Sequence, residues 1–148
     1  MSNSVSLHRI FTASPEKVFR AFTTPDAMAH WLPPYGFLCQ VQEMDVKLGG
    51  RFHMSFTNFT TENSHGFGGE YLEMIPNERL VYTNVFDDPN MQNVMTTTIE
   101  LKKVLCGTEL RATQAGIPEM IPAEMCYLGW QESLEKLKKL VETDIPDA

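Results

Sequence analysis

Apolar residues recur at steps of three and four near the C-terminus and at steps of two through the middle of the chain. Over residues 118–141 this spacing predicts a long helix with one apolar stripe, formed by Ala123, Tyr127, Trp130, Leu134, Leu137 and Val141. Between Met120 and Trp130 the other faces are also apolar, so we expect this first half to be covered on several sides by protein or ligand. The second half carries charged residues opposite the stripe and should lie on a core surface.

Two helix-start signals follow a first predicted strand at residues 5–12. Ser14-Pro15-Glu16 combines a capping hydroxyl, a proline that fits the first turn and a carboxylate that complements the helix dipole. Thr24-Pro25-Asp26 repeats the signal, so a second short helix should run to about Trp31, where Pro33-Pro34 ends it.

Six further strands are predicted between short turns, over residues 39–46, 51–59, 66–75, 79–86, 93–103 and 108–114. Short connections favour antiparallel hairpins, because a parallel crossover needs about a dozen residues or more. One antiparallel sheet must bury one face, and only the final helix is long enough to cover it. The sequence therefore predicts an α+β helix-grip fold in a single domain over residues 1–148. In this fold a curved antiparallel β-sheet wraps around the long C-terminal α-helix, and two short helices follow the first strand.

Charge and composition limit the kinds of binding partner that are expected. The 148 residues are 43% hydrophobic and carry a formal net charge of −7, which argues against nucleic acid and anionic membranes. No apolar run approaches the ~20 residues that span a bilayer. The first residues lack the blocks of a signal peptide. Three widely spaced cysteines suggest no disulfide framework, so a cytoplasmic location is expected.

A series of short motifs occurs in a fixed order along nearly the whole chain. They are Ser14-Pro15-Glu16-Lys17-Val18-Phe19, Ala21-Phe22-Thr23, Trp31-Leu32-Pro33-Pro34, Gly49-Gly50-Arg51-Phe52, Gly69-Glu70-Tyr71-Leu72-Glu73, Pro76-Asn77-Glu78-Arg79-Leu80, Gly107-Thr108-Glu109-Leu110 and Gly129-Trp130. With these motifs the chain resembles the START-like, or Bet v 1-like, superfamily, and within it the Hsp90-ATPase-activator-homologue group.

The resemblance implies the helix-grip fold and a deep apolar cavity between the sheet and the long helix. It implies no common catalytic residues, because members of the superfamily include ligand carriers, polyketide cyclase-like enzymes and cochaperone domains. The chain departs from the group at Asn84, where a tryptophan after Tyr82-Thr83 is common. This departure implies a larger or more polar cavity.

Strand alternation selects the candidate ligand-binding residues. If Phe52, Met54 and Phe56 face the helix, the matching positions of the following strands face it too. With one residue from the second short helix and two from the long helix, the candidates are Trp31, Phe52, Met54, Phe56, Tyr82, Asn84, Phe86, Met95, Thr97, Gln114, Met125 and Leu128. A one-residue error in strand parity would reverse the strand positions in this set.

Asn84, Thr97 and Gln114 are the polar members of an otherwise apolar face. A buried amide without partners costs about 1 to 3 kcal/mol. These side chains either orient a ligand or bond to one another and to water, and both alternatives stay open. Similarly, Trp31 and its neighbours Tyr35 and Phe37 form either a cavity mouth or ordinary packing at the sheet edge.

Catalytic and metal motifs are not found in the sequence. The four histidines lack HxxxH or HxH spacing, and no GxSxG, HExxH or phosphate-loop motif occurs. Cys126 is the one thiol near the predicted cavity, and it lacks an identifiable histidine partner. We therefore predict no catalytic residue, no metal site and no cofactor.

The favoured hypothesis is a small-molecule-binding module that holds a hydrophobic or amphipathic ligand between the sheet and the C-terminal helix. One alternative is a polyketide cyclase-like enzyme acting on an apolar substrate, for which Tyr82 and Glu73 are the groups to test. The other is an interaction domain like the Hsp90 activators. The expected partner is a small hydrophobic molecule, with no nucleic acid and no membrane, while a homodimer and a chaperone partner stay open.

Overall fold

A computed structural model describes residues 3–147, so Met1, Ser2 and Ala148 of the predicted 1–148 domain lie outside the described residues. Its elements are β1 (Asn3–Phe11), α1 (Pro15–Thr23), α2 (Pro25–Trp31), β2 (Phe37–Met44), β3 (Arg51–Asn58), β4 (Ser64–Ile75), β5 (Arg79–Phe86), β6 (Met95–Val104), β7 (Gly107–Ile117) and α3 (Ala123–Glu142). The number, type and order of the elements agree with the sequence prediction.

The seven strands form one antiparallel sheet in the order β1-β7-β6-β5-β4-β3-β2. Strands β2 to β7 are neighbours in chain order because each connection is too short for a crossover. β1 joins the far edge by pairing with β7, with Leu7 opposite Ala112. The sheet is curved and holds α3 against its concave face, so the helix-grip α+β prediction is confirmed.

The two short helices begin where their signals predict. The Ser14 hydroxyl accepts a hydrogen bond from the Lys17 backbone N–H at 3.2 Å, and Pro15 occupies the first turn of α1. Pro25 occupies the first turn of α2, although Thr24 makes no side-chain capping bond there.

The long helix begins five residues later than predicted, at Ala123 instead of residue 118. Pro122 has an extended backbone (ψ 132°), so the residues before it form a separate turn. In that turn the Ile121 N–H donates to the Pro118 carbonyl at 3.0 Å. The apolar pattern before Pro122 therefore belongs to a turn, and the predicted start was wrong.

The C-terminal half of α3 packs on the core. Leu134, Leu137 and Val141 are buried, and β1 is the strand that packs most closely against the helix. A carboxylate oxygen of Glu142 accepts the Thr12 N–H at 2.9 Å and ties the last turn to the end of β1. Among residues 3–147, no helix is long and apolar enough to cross a membrane.

The N-terminal half of α3 is covered on one side only. Met125 is 65% exposed and Leu128 is 56% exposed, as is Met120 in the preceding turn at 65%. The expectation that this half is covered on several sides was therefore wrong. Its outer apolar face lies open, while Cys126 and Trp130 turn towards the sheet.

Two glycines yield a matched stability prediction. A Cβ added at Gly69 would overlap the Thr83 carbonyl oxygen, so Gly69→Ala should lower the free energy of unfolding by about 1–3 kcal/mol through forced strand separation. A Cβ at Gly129 would meet only Pro34, at an ordinary 3.6 Å. Because alanine favours the helical backbone, Gly129→Ala should raise the free energy of unfolding by about 0.5–1 kcal/mol.

Urea denaturation of the two variants and the wild type measures both effects. A Gly69→Ala protein as stable as the wild type would contradict the close strand packing described here.

Candidate ligand-binding site

A cavity of about 340 Å³ lies between the concave face of the sheet and the start of α3. Strands β3 to β7 form its floor and walls, and residues of α1, α2 and the loop before β2 close one end. Its volume lies at the lower end of the range for small-molecule pockets, about 300–1,000 Å³.

Aromatic rings from β3, β4 and β5 build the walls. Phe52 packs edge-on against Tyr82 with ring centroids 5.6 Å apart, and Phe56 packs edge-on against Phe67 at 4.9 Å. Tyr71 lies 5.6 Å from Phe52. Strand alternation and cross-strand pairing bring these rings together, since Met54 lies opposite Phe67, and Tyr71 opposite Tyr82.

Polar side chains form a stripe on the concave face of the sheet that we call the amide stripe, defined by Asn84, Thr97 and Gln114. Asn84 and Gln114 lie on the cavity floor, and Thr97 is covered by its neighbours. The Asn84 Nδ2 donates to Thr97 Oγ1 at a long 3.5 Å. The Trp130 Nε1–H of α3 donates to the Gln114 Oε1 at 3.1 Å. The Asn84 Oδ1 is buried and has no hydrogen-bond partner in the described part of the chain.

The cavity reaches the surface beside the first turns of α3. Met125 and His65 both line the cavity and are exposed. The half-buried Phe56 and Phe67 lie close to this opening, on β3 and β4. A small molecule could therefore enter between the start of α3 and the β3–β4 hairpin.

The loop of residues 32–36, which closes the other end, is bound to the polar side of α3. The Ser133 hydroxyl donates to the Leu32 carbonyl at 2.5 Å, and the Lys136 ammonium donates to the Pro33 carbonyl at 2.8 Å. These bonds hold the loop against the helix, and Leu32 contributes to the cavity lining.

The cavity carries little charge. Within residues 3–147, no Asp, Glu, Lys or Arg lines it, and its titratable lining residues are His65, Tyr71, Tyr82 and Cys126. Burial raises the pKa of Tyr71 to about 12 and raises the pKa of Tyr82 and of the Cys126 thiol above their ordinary values. These three groups are therefore neutral at pH 7, and His65 lies at the exposed opening.

Most of the predicted candidate residues line this cavity. The nine that do so are Phe52, Met54, Phe56, Tyr82, Asn84, Phe86, Met95, Gln114 and Met125. Whether they bind a ligand stays a prediction.

Trp31 lies elsewhere, contrary to its placement in the candidate set. It is fully buried, packs edge-on against Phe22 at 4.7 Å and donates its Nε1–H to the Ala21 carbonyl at 2.9 Å. The ring therefore joins α2 to α1. Of its neighbours, Tyr35 is exposed and only Phe37 lines the cavity.

Thr97 and Leu128 are also outside the cavity lining. Thr97 faces the concave side, as parity predicts, but it is wholly covered by its neighbours. Leu128 lies on the outer side of α3, where it is exposed, because the helix turns its Cys126 and Gly129 side inward instead.

Sequence reasoning did not select several lining residues. Phe67 and Tyr71 follow the period of two along β4, but the glycines of residues 66–69 interrupt the hydrophobic pattern that would have revealed them. Phe22 and Met28 come from helices too short for their spacing to show which side meets the cavity.

The groups named for the enzyme hypothesis are not brought together. Tyr82 lines the cavity, whereas Glu73 does not and forms an ion pair with Arg79 at 3.1 Å. Within the described residues, no three His, Cys, Asp or Glu side chains are grouped so that they could hold a metal ion.

Comparisons with known protein families and solved structures identify relatives that match nearly the whole chain. The family model for Activator of Hsp90 ATPase homolog 1-like protein matches residues 12–142. The comparison with curated proteins gave no match.

Solved structures of similar bacterial proteins share the fold. Protein CV1439 from Chromobacterium violaceum is 51% identical over 96% of this chain and 99% of its own, with a TM-score of 0.94. Protein MLL2253 from Mesorhizobium loti is 27% identical over 97% of this chain and 100% of its own, with a TM-score of 0.76. Protein NE0264 from Nitrosomonas europaea is 25% identical over 93% of both chains, also with a TM-score of 0.76.

The buried tyrosines predict a loss of stability at alkaline pH. Burial raises the pKa of Tyr71 and Tyr82 above the unfolded value of about 10, so the unfolded state ionises first. Their contribution to stability is complete below that pH and is lost as the pH rises towards about 12, the folded pKa of Tyr71. Urea unfolding across the alkaline range should show this decline, and Tyr71→Phe should make it shallower.

Tyr35→Phe is the matched control, because Tyr35 is 56% exposed. Equal declines in the wild type and in Tyr71→Phe would contradict the buried, neutral phenol.

Proposed function

The chain belongs to the Activator of Hsp90 ATPase homolog 1-like family, and we propose that it binds a small hydrophobic or amphipathic molecule in the cavity between the sheet and α3. The observation that carries this proposal is the cavity itself. Its walls are aromatic and aliphatic, and a few polar groups lie on its floor. Sites that bind small molecules commonly combine an apolar lining with a few placed polar groups.

A ligand in the cavity would gain van der Waals contacts with the side chains that line it. Side chains that border a cavity lack van der Waals partners on that side, so the atoms of an apolar ligand supply contacts that the chain does not make for itself. Phe56, Met95 and Cys126 border the cavity from β3, β6 and α3. A molecule between them would contact the sheet and the helix at once.

Charge restricts the ligand to uncharged molecules. The cavity offers no acidic or basic lining residue in the described chain except His65 at its opening. An unpaired ion taken from water into such a site loses its hydration without compensation. The proposed ligand is therefore neutral where it enters the cavity.

A variant that fills the cavity tests the proposal against a panel of uncharged apolar compounds. A ligand at 100 times its Kd stabilises the folded state by about 2.7 kcal/mol, which corresponds to a Tm increase of roughly 5–10 °C for a protein of this size. Cys126→Phe should abolish the increase, because its ring would occupy the space where the ligand lies. Leu128→Phe, two residues along on the exposed side of α3, should retain it.

Native mass spectrometry of the same samples reports the stoichiometry. One bound molecule in the wild type and none in Cys126→Phe is the expected result. An unchanged Tm with every compound, or equal increases in both variants, would contradict binding in the cavity.

An interaction with a chaperone is the second candidate function. It is supported by the family description and by the exposed outer face of α3, where Leu128 lies uncovered. Purified protein added to an Hsp90 ATPase assay tests it. Stimulation that is lost on Leu128→Glu, but not on a cavity-filling Cys126→Phe change, would support this function in place of small-molecule binding.

A polyketide cyclase-like activity has less support from the site. General acid–base chemistry needs positioned groups that exchange protons near the working pH. The buried titratable residues of the cavity are instead held neutral by burial, and Glu73 lies outside it.

A further inference from the structure

Asn84, on the cavity floor, has a buried side-chain oxygen without a hydrogen-bond partner among the described residues. Its side chain lines the cavity, yet the residue is only 9% exposed. Its Oδ1 is the one buried side-chain oxygen or nitrogen in residues 3–147 without a hydrogen-bond partner. Leaving such a group unpaired in a folded interior costs about 1–3 kcal/mol, so a partner from outside the chain is expected.

The rest of the amide stripe has its acceptors engaged. The Gln114 Oε1 accepts the indole N–H of Trp130, and the Thr97 hydroxyl oxygen accepts the Asn84 Nδ2–H. Asn84 Oδ1 is thus the acceptor that remains available at the floor. A carbonyl oxygen can be satisfied only by a donor, which is a hydroxyl or an N–H group.

We propose that the ligand is a neutral ring compound bearing one hydroxyl or N–H group, which donates to Asn84 Oδ1. This inference rests on the proposed function, because it names the ligand class of the same cavity. Oδ1 is itself covered by protein atoms. The terminal torsion of asparagine is soft, so a modest turn of the amide brings the oxygen to a bound donor.

Shape and volume support a ring compound. The aromatic side chains of Phe52, Phe67 and Phe86 line the cavity, and aromatic pairs favour edge-to-face or offset contacts. A volume of about 340 Å³, at about 30 Å³ for each water-sized group, accommodates on the order of ten non-hydrogen atoms. One or two fused rings with a single polar substituent fit this space.

Charge excludes the ionised alternatives. A carboxylate or phosphate group would bring negative charge against the Asn84 oxygen without a cation beside it, since no Lys or Arg of the described chain lines the cavity. An ammonium group would satisfy the oxygen but would find no carboxylate to balance its charge.

Pairs of probes in which a methyl group replaces the donor hydrogen test the inference by isothermal titration. Suitable pairs are 2-naphthol with 2-methoxynaphthalene, and indole with 1-methylindole. The donor-bearing member should bind the wild-type protein roughly 5- to 150-fold more tightly, the factor expected when a buried acceptor gains or lacks its partner. This ratio is measured on the unaltered chain, so it does not depend on whether a variant folds.

Two variants then locate the acceptor. Asn84→Leu should remove the preference and leave both members of a pair with similar affinity. Gln114→Met should retain it, because the Gln114 oxygen is already engaged with Trp130.

Four outcomes would overturn the inference. Equal affinities within each pair would mean that Oδ1 is satisfied by water, and the proposed binding function would still stand. Tighter binding of the methylated members, or loss of the preference in Gln114→Met alone, would place a different group at the contact. Failure of every probe, in this assay and in the wider compound panel, would overturn both the inference and the proposed function.

Discussion

The structure depends on how little of a wide sheet one helix can cover. Seven strands spaced about 4.8 Å apart extend over roughly 29 Å, whereas a helix with its side chains is about 10 Å wide. A flat sheet would leave most of its apolar face in water. The sheet therefore curves around α3, which packs most closely against β1. Opposite the start of α3, the other strands carry large side chains that border an open volume.

This geometry divides α3 into two parts with different tasks. Towards its C-terminus, Leu134 and Leu137 are buried in the core. Towards its N-terminus, one side of the helix borders the cavity and the other side is exposed. Near the middle of α3, Ser133 and Lys136 donate hydrogen bonds to the carbonyl groups of residues 32 and 33. These bonds fix the loop that closes the cavity. Stability and the candidate site thus share one helix, and the proposed ligand would occupy the space that helix packing leaves.

The sequence could predict the fold and most of the strand residues that line the cavity, because both depend on strict local rules. Alternation along β3 places Phe52, Met54 and Phe56 on one face whatever the rest of the chain does. How deeply a side chain is buried, and which side of a helix faces the core, follow no such local rule. Parity turns Thr97 inward, but only packing decides that it is fully covered, and tertiary contacts turn Leu128 outward and Trp31 towards α1. The unpartnered Asn84 oxygen likewise depends on distances between side chains, which spacing along the chain cannot give.

Apolar space remains between the sheet and the start of α3. Diffraction from crystals held under xenon pressure tests it most directly, because xenon enters dry apolar cavities and leaves close-packed interiors empty. We expect xenon density bordered by Phe56, Met95 and Cys126. An experimental structure in which those side chains meet one another, with no xenon between them, would contradict it.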